Sequence, residues 1–252
     1  ISSLSWIHTF GAGVDSFMKL DNLSNKTVIS RTTGKLGHKI GEYCLTYILL
    51  DIKNVHSIYR NQAIGHWEQL YQQYLDNQKV LILGTGHVGK GIAGVLKGRC
   101  ATISGLSRSL QSCHEFDRMY SWQDLEDLDK EYDIIINTLP NTQKTFNIID
   151  NRFFSHFRNI HFINVGRGET VNEDDLLRAL ESGFVRRATL DVFKTEPLPE
   201  SSALWDHDKI VITPHQSGIT DVDDVISSFD QAYQGYIKGD DSSLYVNKKE
   251  GY

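Results

Sequence analysis

Val80-Leu81-Ile82-Leu83-Gly84-Thr85-Gly86-His87-Val88-Gly89 is the stretch that decides the fold. Its four leading apolar residues read as a strand buried on both faces, and a G-x-G-x-x-G turn follows without a gap. In that setting each glycine has a separate use. The first permits a tight turn, the second lets a pyrophosphate approach the backbone, and the third lets the next helix pack closely on the strand. Lys90–Lys97 reads as that helix, with free N–H groups at its start facing an anion. Three glycines in a turn mean little by themselves. Between a strand and a helix they predict a dinucleotide cradle made of Gly84, Gly86, His87, Val88 and Gly89.

The same alternation continues downstream. Ala101–Leu106, Asp133–Asn137, His161–Val165, Thr189–Val192 and Ile210–Thr213 are further strand candidates, separated by segments with helix chemistry. In the best of these, Asn172 can cap a helix, Glu173, Asp174 and Asp175 fill its first turn, and Gly183 can close it. Short apolar strands alternating with helices predict an α/β fold, a Rossmann-type doubly wound parallel sheet covered on two sides. Trp6-Ile7-His8-Thr9 reads as a strand outside this block. His38 to Arg60 reads as one long helix and Asp221 to Lys238 as another. Residues 39–216 are therefore expected to form the dinucleotide-binding domain. Residues 1–38 and 217–252, too small to fold separately, are expected to combine into a second, discontinuous domain. The chain opens at Ile1 inside a strand-like stretch, and the expectation is that earlier strands of that smaller domain are missing.

The end of the second strand bears on which dinucleotide is taken. Sites for the non-phosphorylated cofactor place an acid about 20 residues on, to accept from the ribose 2′-hydroxyl. Here the region reads Gly105-Leu106-Ser107-Arg108-Ser109-Leu110, and the first acid is Glu115. A guanidinium flanked by two hydroxyls suits a 2′-phosphate, so NADP(H) is the expected cofactor, with NAD(H) possible. The other reading of Ser107-Arg108-Ser109 is a solvated loop.

Bulk properties remove several function classes. The 252 residues are 40% hydrophobic and 23% charged, with a net charge of −6 and no basic stripe, which argues against nucleic acid or a membrane surface as partner. No apolar run is long enough to span a bilayer. Three scattered cysteines, Cys44, Cys100 and Cys113, offer neither a disulfide framework nor zinc spacing, and fit reduced thiols in a cytoplasm with no metal site.

Three later segments carry chemistry: Asn164-Val165-Gly166-Arg167-Gly168, Leu190-Asp191-Val192-Phe193 leading to Glu196-Pro197-Leu198-Pro199, and Thr213-Pro214-His215. In order and spacing they resemble the D-isomer-specific 2-hydroxyacid dehydrogenases. Gly11-Ala12-Gly13-Val14-Asp15, Gly41-Glu42 and Tyr245-Val246-Asn247 have counterparts in that family too. Ser107-Arg108-Ser109, and Trp205 ahead of Thr213-Pro214-His215, are most similar to its glyoxylate/hydroxypyruvate reductase branch. The resemblance implies a flavodoxin-like substrate domain, here N-terminally incomplete, and a homodimer. It further implies that Asp191 lies near the nicotinamide, that Leu139-Pro140 flanks the adenosine half, and that Ala12 and Gly13 help bind the substrate carboxylate.

The residue types suit that reaction. Reducing a small 2-oxo acid needs a hydride donor, a proton donor to the carbonyl oxygen and a cation for the carboxylate. His215 is the natural acid, but an isolated histidine of pKa about 6.5 is mostly neutral at pH 7. A carboxylate about 4 Å away favours the charged ring by roughly 4 kcal/mol at an effective dielectric of 20, before desolvation. Glu196 fits that role. Arg167 can bind the substrate carboxylate and polarise the carbonyl, and backbone N–H groups at Ala12 and Gly13 can form an anion nest. Each of the three side chains has an ordinary structural alternative. The two functional alternatives are a phosphoglycerate-type dehydrogenase and a dinucleotide-sensing, corepressor-like binding protein.

Overall fold

The computed structural model describes residues 3–108, 110, 113–128 and 130–251. Its centre is a seven-stranded parallel sheet. The strands are β3 (Lys79–Leu83), β4 (Thr102–Ser107), β5 (Arg118–Ser121), β6 (Ile134–Asn137), β7 (Ile160–Asn164), β8 (Val185–Leu190) and β9 (Ile210–Ile212), in the order β5-β4-β3-β6-β7-β8-β9. The chain builds outward from β3 in one direction and restarts at β6 in the other. The β3/β6 junction is thus the switch point, outside whose C-terminal ends ligands bind in open α/β sheets.

Side-chain alternation explains why β3 is apolar throughout. Val80 and Ile82 face α2 (Leu36–Ile52) and α4 (His87–Leu96), packing with Ile40, Cys44, Ile48, Ile92 and Leu96. Leu81 and Leu83 face the other way, into a core with Phe153 and Phe154 of α5 (Asn151–His156) and Leu176 and Leu180 of α6 (Glu173–Glu181). Burying each such side chain is worth about 1.5–3 kcal/mol, so both helical layers are held by the strands between them. The α2–α4 crossing is close because it is made at glycines. A Cβ on Gly37 would lie 2.8 Å from the His87 carbonyl oxygen, and one on Gly91 would lie 2.4 Å from the Gly37 carbonyl carbon.

The small sheet pairs β1 (Trp6–Thr9) with β2 (Val28–Arg31) in parallel; a four-residue helix, α1 (Asp15–Met18), lies between them in sequence. The two terminal stretches meet here. Val246 N–H donates to the Ile29 carbonyl at 2.8 Å, and Val14, Ile29 and Val246 share a small core. Trp6 stacks on Tyr236 of α7 (Val222–Lys238).

Several expectations need correcting. The long helix over His38–Arg60 begins at Leu36. It also breaks after Ile52, and α3 (Val55–Ala63) resumes with Asn54 in the left-handed region at φ 54°. Asparagine tolerates that conformation, and its amide donates to the Tyr71 carbonyl at 2.6 Å, turning the chain. The strand placed at Thr189–Val192 runs from Val185 to Leu190, which leaves Asp191 just beyond its end. Strands β2 and β5 are not among those expected from the sequence. The cap on α6 follows the sequence: the Asn172 side chain accepts from Asp175 N–H at 3.2 Å.

At the sheet end away from the switch point, Asp51 of α2 accepts from Arg187 Nε at 2.9 Å and Arg186 Nε at 3.1 Å, tying helix to strand. Burial pushes the Asp51 carboxyl up, but the neighbouring cations outweigh it and hold the group below its ordinary value. His161, fully buried, hydrogen-bonds Thr189 at 3.0 Å, and its ring sits 3.4 Å from Asp51. Desolvation pushes its pKa down to about 3, so at neutral pH the ring is uncharged and the two arginines are the real partners of Asp51. Between that value and the ordinary 6.5 the unfolded chain binds a proton that the folded chain refuses. Stability is therefore lost as pH falls through this window, by at most ~1.4 kcal/mol per pH unit. Urea unfolding at pH 7 and 5 should show the native chain losing about 2 kcal/mol more than His161→Gln. Equal losses would exclude this origin.

Candidate active site

A cleft of about 320 Å³ opens at the switch-point end of the sheet. Its wall is built from segments that leave the C-terminal ends of strands: Val88 after β3, Thr138-Leu139-Pro140 after β6, Val165-Gly166-Arg167 after β7, and His215 with Ser217-Gly218 after β9. The small sheet closes the opposite side with Gly11–Asp15, after β1, and with Arg31 at the end of β2. Of the residues singled out from sequence, Ala12, Gly13, Val88, Leu139, Pro140, Arg167 and His215 line this one cleft.

His215 and Glu196 form a pair. The Glu196 carboxylate takes the ring Nδ1 at 2.7 Å with one oxygen and accepts from Phe193 N–H at 2.9 Å with the other. The loop backbone thus fixes the carboxylate, and the carboxylate fixes the ring, leaving Nε2 for other partners. Glu196 itself lines a neighbouring apolar pocket with Phe193, Leu198, Trp205 and Pro214, and His215 belongs to both cavities. Glu196 thus supports His215 from behind.

Arg167 is equally constrained. Its Nε donates to Asp15 at 2.8 Å and its Nη1 to the Gly166 carbonyl at 2.7 Å. Nη2 occupies the space beside Gly13, where a Cβ would come within 2.4 Å of it. The Arg167 carbonyl accepts from the Thr170 hydroxyl at 2.6 Å. Thr170 in turn accepts from Asn137, and Asn137 also donates to Asn164, both at 2.8 Å. Sequence reading missed this buried network. Its signal was a polar residue ending each of two apolar strands, Ile134-Ile135-Ile136-Asn137 and Ile160-His161-Phe162-Ile163-Asn164.

Asp191, which the resemblance places near the nicotinamide, is wholly buried and does not itself line the cleft. Its carboxylate accepts from the Thr213 hydroxyl at 2.5 Å and from Gln216 and Ser217 N–H, both at 2.8 Å, while its own carbonyl accepts from His215 N–H at 2.9 Å. His215 sits at φ 52°, a left-handed conformation costly for a residue with a Cβ. Asp191 thus acts as the clamp that holds the His215 loop in that shape. Because Thr213 spends its one proton on Asp191, the Tyr43 hydroxyl 2.6 Å away must donate to Thr213. Burial holds that phenol well above its ordinary pKa, so it stays protonated as this role requires.

The glycine turn fits a dinucleotide. Gly84 adopts φ +94° against Thr138, and a Cβ on Gly89 would strike the Gly84 carbonyl oxygen at 2.0 Å. Around Gly86, by contrast, a Cβ would meet nothing within 4 Å. The tight turn, the close helix packing and the open approach are therefore all present, with His87 exposed at the head of α4. Of this turn only Val88 lines the cleft; Gly84, Gly86, His87 and Gly89 lie beside it. Ser107 ends β4 and Arg108 follows it; Ser109 lies outside the described residues. Among the described residues no group of three His, Cys, Asp or Glu side chains is placed to hold a metal ion, and no helix is long and apolar enough to cross a membrane.

Comparison with known proteins agrees with this architecture. Residues 45–217 match the family model described as D-isomer specific 2-hydroxyacid dehydrogenase, NAD binding domain. The chain is 33% identical over 228 residues to a glyoxylate/hydroxypyruvate reductase A of Serratia proteamaculans, covering 86% of this chain and 72% of that protein. Its fold is similar to that of a D-isomer specific 2-hydroxyacid dehydrogenase family protein from Aeromonas salmonicida subsp. salmonicida (TM-score 0.88, 32% identity, 97% of this chain and 79% of that one). It is also similar to an NADPH-dependent glyoxylate/hydroxypyruvate reductase from Sinorhizobium meliloti in complex with NADP and sulfate (TM-score 0.91, 27% identity, 99% and 80%).

Proposed function

Because the chain belongs to the D-isomer-specific 2-hydroxyacid dehydrogenase family, we propose that it uses NADPH to reduce a small 2-oxo acid of the glyoxylate/hydroxypyruvate type to the D-2-hydroxy acid. The observation that carries this reading is the convergence of His215, backed by Glu196, and Arg167 on one cleft beside the glycine turn. Bound reduced nicotinamide supplies a hydride to the carbonyl carbon. Arg167 binds the substrate carboxylate and faces the negative charge that grows on the carbonyl oxygen. His215 gives that oxygen a proton from Nε2, and Glu196 stabilises the charged ring before transfer and keeps it oriented after. Ala12 and Gly13 border the same space and offer backbone N–H groups to the carboxylate. Domain division follows the two sheets, the larger holding the dinucleotide.

Ser107, Arg108 and the absence of any acid in the sequence between them and Glu115 support a preference for NADP(H) over NAD(H). Trp67, Tyr71 and Tyr74 stand exposed on the segment after α3, an apolar strip suited to a homodimer contact. The three cysteines are unbridged, as in a reducing cytoplasm. The test is oxidation of NADPH with glyoxylate, hydroxypyruvate and phosphohydroxypyruvate, followed by absorbance. Turnover with the first two and little with the third is the expected result. Tight NADPH binding with no turnover on any of them would replace the enzyme reading with a sensing role.

A further inference from the structure

The C-terminal tail reaches the side of the cleft assigned to the dinucleotide. Val246 anchors it by pairing with Ile29, and Lys248 Nζ donates to the Ser24 carbonyl at 2.9 Å. A turn then forms, in which Glu250 and Gly251 N–H both donate to the Asn247 carbonyl, at 3.1 and 2.9 Å. This turn delivers two residues to the cofactor side. Gly251 lines the cleft with Leu139 and Pro140, and a Cβ on it would be 3.5 Å from Thr142. Glu250 forms an ion pair with Arg108.

We propose that Glu250 is a cofactor-selectivity residue: its carboxylate takes the place of the ribose 2′-phosphate on Arg108, and NADP(H) must displace it to bind. The inference rests on the reading of Arg108 as the 2′-phosphate site. The chemistry is that of one anion replacing another. A carboxylate and a phosphate both accept from the guanidinium fork, and the two anions cannot share it without repulsion. A dinucleotide lacking the 2′-phosphate has no such conflict and leaves the pair intact. The tail thus lowers affinity for the phosphorylated cofactor while leaving the other untouched. Both side chains are partly exposed, at 53% for Arg108 and 35% for Glu250, so the effect is modest and weakened by salt.

Binding of NADPH and NADH to the full chain, followed by fluorescence titration at low salt, tests this. Glu250→Gln should tighten NADPH about threefold to tenfold and move NADH by less than about twofold. Raising the salt to about 0.5 M should shrink the gain. In an Arg108→Ala background, where NADPH is already weakened, Glu250→Gln should do nothing further. If Arg108→Ala weakens NADPH but Glu250→Gln leaves it unchanged or loosens it, Glu250 does not compete and the inference fails while the 2′-phosphate assignment stands. If Arg108→Ala alters neither cofactor, that assignment fails, and the inference with it.

Discussion

His215→Gln is expected to lower kcat by about 10²–10⁴-fold, the usual worth of a positioned general acid, with dinucleotide affinity changed by less than about twofold. The ring borders the cleft and its Nδ1 is committed to Glu196 at 2.7 Å, so Nε2 is the nitrogen that can serve a reacting oxygen. Glutamine keeps comparable bulk but cannot supply a proton, so single-turnover reduction should slow while the substrate KM changes little. Glu196→Gln separates orientation from charge. An amide oxygen can still accept from Phe193 N–H, and the loop should hold, but the ring loses its counter-ion. Both side chains are partly exposed, at 52% and 34%, so water screens the pair and the loss should be smaller, about tenfold to a hundredfold. Retention of a tenth or more of native kcat in His215→Gln would remove the residue from the chemistry.

What could be read from sequence, and what could not, divides by the range of the forces involved. The β3 run and the glycine turn were legible because strand apolarity and glycine φ freedom are local, and the same holds for the Asn172 cap. Asn54 was not read as a break because asparagine also occurs within helices, and the bond that bends the chain there runs to the Tyr71 carbonyl, 17 residues on. The four-residue strand β5, Arg118-Met119-Tyr120-Ser121, lies at the sheet edge and is only partly buried, so it lacks the apolar run that marks its neighbours. Asp191 shows the limit at the site itself. Its motif was visible, but only the fold shows that its carboxylate turns inward onto the His215 loop. The role of Asp15 depends on Arg167, which donates to it from 152 residues away in sequence.

The Arg167 placement leads to the second large effect, a fall in kcat/KM of about 10²–10⁴-fold in Arg167→Ala. Each charge-assisted hydrogen bond to a carboxylate is worth roughly 1.5–3 kcal/mol, and two are lost together with the cation facing the carbonyl oxygen. Arg167→Lys distinguishes charge from shape. An ammonium restores the positive field but cannot hold Asp15, the Gly166 carbonyl and a substrate at once, as the fork can. It should recover kcat more than KM. Gly13→Ala approaches the same point from the other side: the added methyl occupies the place of Nη2 and must push the guanidinium away while leaving its charge in the cleft. If positioning is what matters, Gly13→Ala should resemble Arg167→Lys, with a raised KM and a largely preserved kcat. The decisive readout is selectivity. Native protein should prefer a 2-oxo acid over the matching carbonyl compound without a carboxylate, and Arg167→Ala should erase most of that preference by slowing the acid far more than the other compound. If both substrates slow equally in Arg167→Ala, the guanidinium serves the carbonyl or the fold, and the carboxylate is bound by some other group.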